Sequence, residues 1–201
     1  MPRNGAPTRE RILDAAERLV IDNGYAATSL DRVIAEAQSS KGSFFHHFAS
    51  KDDLARALVE RYAAADIAHL DAAVVDVIAA SDDPAERVLR FVRIFEDGAD
   101  ELMSAQSSCL YVSVLTEREL VQRGTSAQIE RAIVAWREGL VRLLEDALPE
   151  PGDLDLPALA DHVFVTFEGS FILSRATGER GHMRAQLRVV RQLLEAVLQG
   201  V

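Results

Sequence analysis

Apolar residues recur at three- and four-residue steps along almost the whole chain, and strict alternation is nearly absent, so the pattern predicts helices and no sheet. Thr8 can cap a first helix that carries Ile12, Ala16, Leu19 and Val20 on one face and stops at Asn23-Gly24. "TSLD" then gives a capping-box pattern, Thr28 with Asp31 three residues on, ahead of a short helix through Leu30, Val33 and Ile34 that ends near Ala37. A third short helix is expected from about Ser40 to Phe48. "SKDD" repeats the cap with Ser50 and Asp53 and opens a long alanine-rich helix through Leu54, Leu58, Tyr62 and Leu70 to about Ala80.

"SDDPAE" marks another start, with Asp83 at the cap, Pro84 at the first helical position and Glu86 close behind. Its apolar face is Val88, Phe91, Val92 and Phe95, with an end expected at Gly98. One helix is expected around Ser107 to Gln122. Ile129, Ile133, Trp136, Leu140 and Leu144 define a clear amphipathic helix that Pro149 to Gly152 terminates. Residues 157–177 and 182–199 make a closing pair, split by "TGERG". The expectation is an all-α chain of about nine helices, without internal repeat or low-complexity tract.

The closing pair differs from the rest. Val163, Phe164, Val165, Phe167, Phe171, Ile172 and Leu173 point several ways around one helix, so more than one side must be covered. Either this helix is central to its domain or its second side meets another copy of the chain. Met183, Leu187, Val190, Leu194 and Val197 on the last helix would widen the same surface. A homodimer through 157–177 and 182–199 is the favoured reading, with a buried central helix as the alternative.

Composition narrows the class. The 201 residues, 48% hydrophobic and 27% charged, are ordinary for a globular protein and long enough for a sizeable core. No apolar run is expected to approach the roughly 18 to 20 residues of a membrane span, and "MPRNGAPTRER" lacks the apolar centre of a secretion signal. The single cysteine, Cys109, cannot form an internal disulfide, which fits a reducing cytoplasm. The net charge of −10 argues against nucleic acid until its distribution is seen. Residues 1–55 hold 7 Lys and Arg against 8 Asp and Glu, while the remainder holds 15 against 24. A near-neutral head can present a local basic face, here Arg3, Arg9, Arg11, Lys41 and Lys51, while the acidic body repels phosphate.

Within that head, "SSKGSFFHHF" (Ser39 to Phe48) combines small polar residues in front with aromatics behind. A helix this short is not stable alone. Phe44 and Phe48, four apart, share a face and can anchor it against Leu19, Leu30 and Ile34. Ser40, Lys41, Ser43 and, on the flank, Phe45 and His46 are left outward, and Gly42 removes a side chain where backbone must approach a surface closely. Short helix, tight turn and second short helix make a helix-turn-helix, whose second helix enters the DNA major groove by its N-terminal residues.

From Thr8 to about Leu58 the chain resembles the tetracycline-repressor (TetR) family of bacterial regulators. The elements that carry the likeness are the "GYAATS" join, "SKGSFFHHF" and the "SKDDL" helix start, in that order. Residues 59–201 are similar to the family only in helical layout and size. The resemblance implies a DNA-binding head, residues 1–50, and a helical ligand-binding and dimerisation domain, residues 51–201. It implies a palindromic operator bound by a dimer and released when a small molecule binds. It makes Thr28 and Lys51 phosphate contacts, and Ser39, Ser40, Lys41, Gly42, Ser43, Phe45 and His46 the recognition surface. Two positions depart from the family's habit: Gln38 stands where the turn commonly has glycine, and Phe45 where tyrosine is common. Phe45 has no hydroxyl for a phosphate, so its contact would be apolar.

Phe91, Phe95, Cys109, Tyr111, Trp136, Phe167 and Phe171 are candidates to line a mostly apolar pocket, although at helical spacing each also suits plain core. His46-His47 point about 100° apart on a helix and have no carboxylate or cysteine cluster beside them, so packing or phosphate contact is favoured over a metal. No Gly-rich phosphate loop, nucleophile elbow or tight acid pair is present, and the expectation is no enzyme, no cofactor and no metal. The rival readings are a helical ligand sensor that has lost DNA binding, and an all-α enzyme.

Overall fold

The computed structural model describes residues 6–122 and 124–200. Ten helices and no strand occur among them: α1 (Ala6–Asn23), α2 (Leu30–Glu36), α3 (Lys41–His47), α4 (Lys51–Ala80), α5 (Pro84–Ala105), α6 (Leu110–Leu115), α7 (Arg118–Gln122), α8 (Ser126–Ala147), α9 (Leu156–Thr177) and α10 (His182–Gly200).

Most starts are where the caps put them. The Ser50 hydroxyl accepts from Asp53 N at 3.1 Å, and the Asp53 carboxylate reaches back to Ala49 N at 2.9 Å. The Asp83 carboxylate accepts from Ala85 N with Pro84 behind it, and the Asp155 carboxylate accepts from Ala158 N at the head of α9. Gly24 (φ +82°) and Gly178 (φ +76°) close α1 and α9 in the left-handed conformation that costs glycine least.

Four boundaries differ from the expected ones. Thr8 lies inside α1, which begins two residues earlier because Pro7 is compatible with a first turn. The cap of α2 is Ser29, whose side chain accepts from Arg32 N, and not Thr28. Gly98 does not end α5: no side chain stands where its Cβ would be, and the helix continues to bury Ala99 and Met103. A mid-helix glycine costs about 1 kcal/mol relative to alanine, less than that burial returns. The single helix expected at 107–122 is two, α6 and α7, with Cys109 capping the first and Thr116 ending it.

The chain divides into two compact units. The first comprises Met1–Ala63 with Ser108–Glu130, so the early turns of α4 and the helices α6 and α7 pack with α1 to α3, beyond the boundary expected at residue 50. Its interior is Ile12, Leu13, Ala16, Val20, Val33, Phe44, Phe48, Leu54 and Leu58. Arg61 of α4 binds three acids of α1, Glu10 at 3.1 Å, Asp14 at 2.7 Å and Glu17 at 2.6 Å.

The second unit is Ala64–Ser107 with Arg131–Val201. Its core joins Leu70 and Val77 to Val88, Phe91 and Val92, to Trp136, Leu140 and Leu144, and to Val163, Val190 and Leu194. Helix α10 lays Met183, Leu187, Val190 and Leu194 against its neighbours, and ion pairs tie it to α5: Glu96, almost wholly buried, accepts from Arg188 at 3.0 Å and Arg191 at 2.7 Å. Contrary to the expectation that no segment approaches a membrane span, helix α9 is long and apolar enough, by length and composition alone, to cross one, because its few polar residues are dispersed among apolar ones. Asp161 within it pairs with Arg137 at 2.7 Å, and Val163 and Phe171 are buried among the other helices. Its remaining apolar side is uncovered: Val165 is 60% and Ile172 59% exposed, and Leu193 of α10 is 55% exposed.

Candidate nucleic-acid interface

The site is built from behind. Phe44 and Phe48 are buried with ring centroids 5.6 Å apart, and they fix α3 on the first unit's core. In the turn before it, Ser39 N donates to Ile34 O at 3.0 Å, and Gln38 sits at φ +48°, the left-handed region that costs a non-glycine residue about 1–2 kcal/mol. Ser40 then caps α3, its hydroxyl accepting from Ser43 N at 3.1 Å.

The opposite face of α3 is open. Ser40, Lys41, Gly42, Phe45 and His46 are exposed, and Ser43 is half-buried. Phe45 is 48% exposed, an unusual position for a phenylalanine without a partner outside the chain. Nothing lies within 4 Å of where a Gly42 Cβ would stand, so packing inside the protein does not require this glycine. A surface approaching from outside would.

Three expected contacts look different in the structure. Thr28 is 1% exposed and its Oγ1 lies 2.8 Å from Gly24 O and 3.1 Å from Leu19 O, so it fastens the α1–α2 join and cannot meet a phosphate as folded. Ser29, one residue on, is exposed at the start of α2, with exposed Arg32 beside it. The Ser39 Oγ is enclosed and has no hydrogen-bond partner. Lys51 is half-buried: its Nζ donates to Tyr25 O at 2.7 Å and lies 3.9 Å from the centre of the Tyr25 ring. Burial pushes its ammonium below the usual lysine range, and the Glu117 carboxylate acts the other way. Of the other basic residues, Arg9 packs over the Phe48 ring at 5.4 Å, Arg11 is exposed, and Arg3 lies outside the described residues.

The aromatic candidates fall into two groups. Phe91, Phe95, Trp136 and Phe167 form one cluster in the second unit, with centroids 5.1–6.2 Å apart. Phe171 is buried in the same unit, and the Trp136 Nε1 has no hydrogen-bond partner. Cys109 and Tyr111 belong to the first unit, where Tyr111 meets Tyr62 edge-on at 5.1 Å and Cys109 Sγ lies 3.9 Å from the Tyr62 hydroxyl.

A helix-turn-helix with its second helix propped by buried aromatics and open on its polar face defines a DNA-binding transcription regulator. Residues 12–58, the head of the chain, match the model of the bacterial regulatory proteins of the tetR family. Over 185 residues it is 25% identical to the transcriptional regulator AcuR of Cereibacter sphaeroides, covering 87% of this chain and 83% of that one. Over 58 residues it is 38% identical to the repressor NemR of Escherichia coli, 29% of each chain. The fold is that of a regulatory protein TetR from Rhodobacter sphaeroides, with a TM-score of 0.75, 23% identity and coverage of 91% of this chain and 96% of that one. It is also that of a TetR-family regulator from Agrobacterium tumefaciens, with a TM-score of 0.77, 20% identity and coverage of 94% and 98%.

Proposed function

We propose that this regulator is a homodimeric repressor that binds a palindromic operator and is released by a small, mostly apolar effector. The observation that carries the reading is the outer face of α3, where Ser40, Lys41, Gly42, Phe45 and His46 stand exposed in front of buried Phe44 and Phe48. That face fits a major groove: Lys41 supplies charge, Ser40 and Ser43 adaptable hydroxyls, Phe45 an apolar surface for a thymine methyl, and Gly42 the clearance for close approach. Ser29, Arg32 and Lys51 flank it as phosphate contacts. Lys51 keeps two N–H groups beyond the one given to Tyr25 O.

Two copies joined through the uncovered sides of α9 and α10 would present two such helices, and half-sites about one helical turn, roughly 34–36 Å, apart would receive them. The effector would enter the Phe91, Phe95, Trp136 and Phe167 cluster and offer an acceptor to the unpartnered Trp136 Nε1. A gel shift with the duplex upstream of the protein's own gene tests the reading. Retardation that a ligand of the second unit reverses is expected, and no retardation by the dimer at low salt would refute it.

A further inference from the structure

The peptide between Tyr25 and Ala26, in the join between α1 and α2, is held on both of its sides. Its oxygen, Tyr25 O, accepts from Lys51 Nζ at 2.7 Å and from Thr28 N at 3.1 Å. Its N–H, Ala26 N, points the other way and donates to Glu117 Oε1 at 3.1 Å. Glu117 lies 91 positions further along the chain, in the connection between α6 and α7. Its own carbonyl opens α7, accepting from Leu120 N at 3.0 Å and Val121 N at 3.2 Å, while its side chain serves the join. The mount is firm, since Leu110, Tyr111 and Val114 of α6 and Leu120 of α7 are buried. Both partners of the bond belong to the first unit. Ala26 is exposed, so water competes for its N–H, and a carboxylate competes better than a neutral acceptor. Three residues after Ala26 the chain caps α2 with Ser29, and α2 leads through the Ser39–Ile34 bond into α3. The conformation at Ala26 therefore sets where α2 begins and how α3 stands.

We propose that Glu117 is a positioning residue for DNA recognition: by holding Ala26 N it keeps the α1–α2 join in the conformation that seats α3 on base edges. This rests on the DNA-binding reading above and adds to it a residue outside residues 1–50 that touches no DNA. Without the Glu117 carboxylate the join samples other conformations, and the apparent affinity falls by the fraction that remains competent. Base contacts depend on the placement of α3, whereas phosphate contacts through long basic side chains tolerate its displacement. The loss thus falls on sequence preference. A role of Glu117 as a mere negative charge near DNA gives the opposite result, since its removal would tighten binding to any duplex.

The test is fluorescence anisotropy on two labelled duplexes, the one upstream of the protein's own gene and one of mixed sequence, with the full-length wild type, Glu117→Ala and Glu117→Gln. Glu117→Ala should bind the upstream duplex about two- to tenfold more weakly, the net worth of one hydrogen bond, and the mixed duplex within about twofold of the wild type. The salt slope on each duplex should not change, because no phosphate contact is lost. Glu117→Gln keeps an acceptor for Ala26 N and should retain most of the preference. Hydrogen exchange over residues 24–30 should quicken in Glu117→Ala and stay near the wild type in Glu117→Gln. A merely structural glutamate would lower the melting temperature and leave the ratio of the two affinities in the folded protein as it was. An unchanged ratio in Glu117→Ala overturns the proposal, as does equal tightening on both duplexes, or a Glu117→Gln variant as impaired as Glu117→Ala. Absence of binding by the wild type would instead remove the DNA-binding reading, and this proposal with it.

Discussion

At the scale of single residues, two positions in the helix-turn-helix separate stability from function. Gln38 is held at φ +48° in the turn and is exposed, so its side chain gains nothing that offsets the backbone cost. Gln38→Gly should raise the stability of the protein by roughly 0.5–1 kcal/mol in a urea titration, since glycine adopts that conformation freely and its greater unfolded-state entropy only partly cancels the gain. Gly42 shows the reverse. Its surroundings leave room for a methyl group, and alanine is the better helix former. Gly42→Ala should therefore leave the melting temperature equal or higher while weakening DNA binding several-fold, a split that a purely structural glycine would not give. Ser29 and Thr28 show why adjacent capping residues are hard to separate from sequence. Both types cap helices, and only the Thr28 contacts with Gly24 O and Leu19 O show that one turns inward.

At the scale of elements, the signals that survive in the structure are local ones. Caps at Ser50 and Asp83 act within four residues and were legible, as were the start of α3 near Ser40, the buried pair Phe44 and Phe48 and the exposed face beside them. What was not legible depends on distance along the chain. The bond from Ala26 N to Glu117 spans 91 positions, and periodicity carries no information about it. The ligand candidates illustrate the same limit: seven residues at helical spacing divide between two units, and only Phe91, Phe95, Trp136 and Phe167 join in one ring cluster. The attachment of α10 to α5 also rests on such a distant contact. Glu96 is held ionised, its carboxyl kept below the ordinary 4.5 by hydrogen bonds from Arg191 against the opposing effect of burial, with Arg188 assisting. A carboxylate with a depressed folded-state value contributes stability that is fully present above the unfolded value and is lost as pH falls through the folded one. Thermal melts should thus show stability flat above about pH 5 and declining below about 4.5, and Glu96→Leu should flatten that decline. An unchanged acid limb in the variant would show that Glu96 does not contribute to it.

At the scale of the whole molecule, the uncovered apolar surface of α9 and α10 sets the expected assembly. Val165, Ile172, Leu173, Val189 and Leu193 are exposed on the two closing helices, and a surface of this kind in a regulator calls for a partner. The pattern of α9 signalled that surface in the sequence, because its apolar residues point in too many directions for one neighbour. Val165→Asp with Leu193→Asp should convert a dimer into a folded monomer by light scattering. Its circular dichroism should be unchanged, and its affinity for a palindromic duplex should fall by more than tenfold, since two linked heads bind far more tightly than one. A variant that remains dimeric would place the interface elsewhere.

The most direct measurement is the salt dependence of DNA binding by the wild type and by Lys41→Ala on the duplex upstream of the protein's own gene. Lys41 is exposed at the first position of α3 and supports nothing inside the fold, so the variant keeps its structure. Weaker binding with a salt slope shallower by up to about 0.9 for each head is expected if the outer face of α3 lies against DNA. Equal affinity and an equal slope would mean that this face does not touch the duplex.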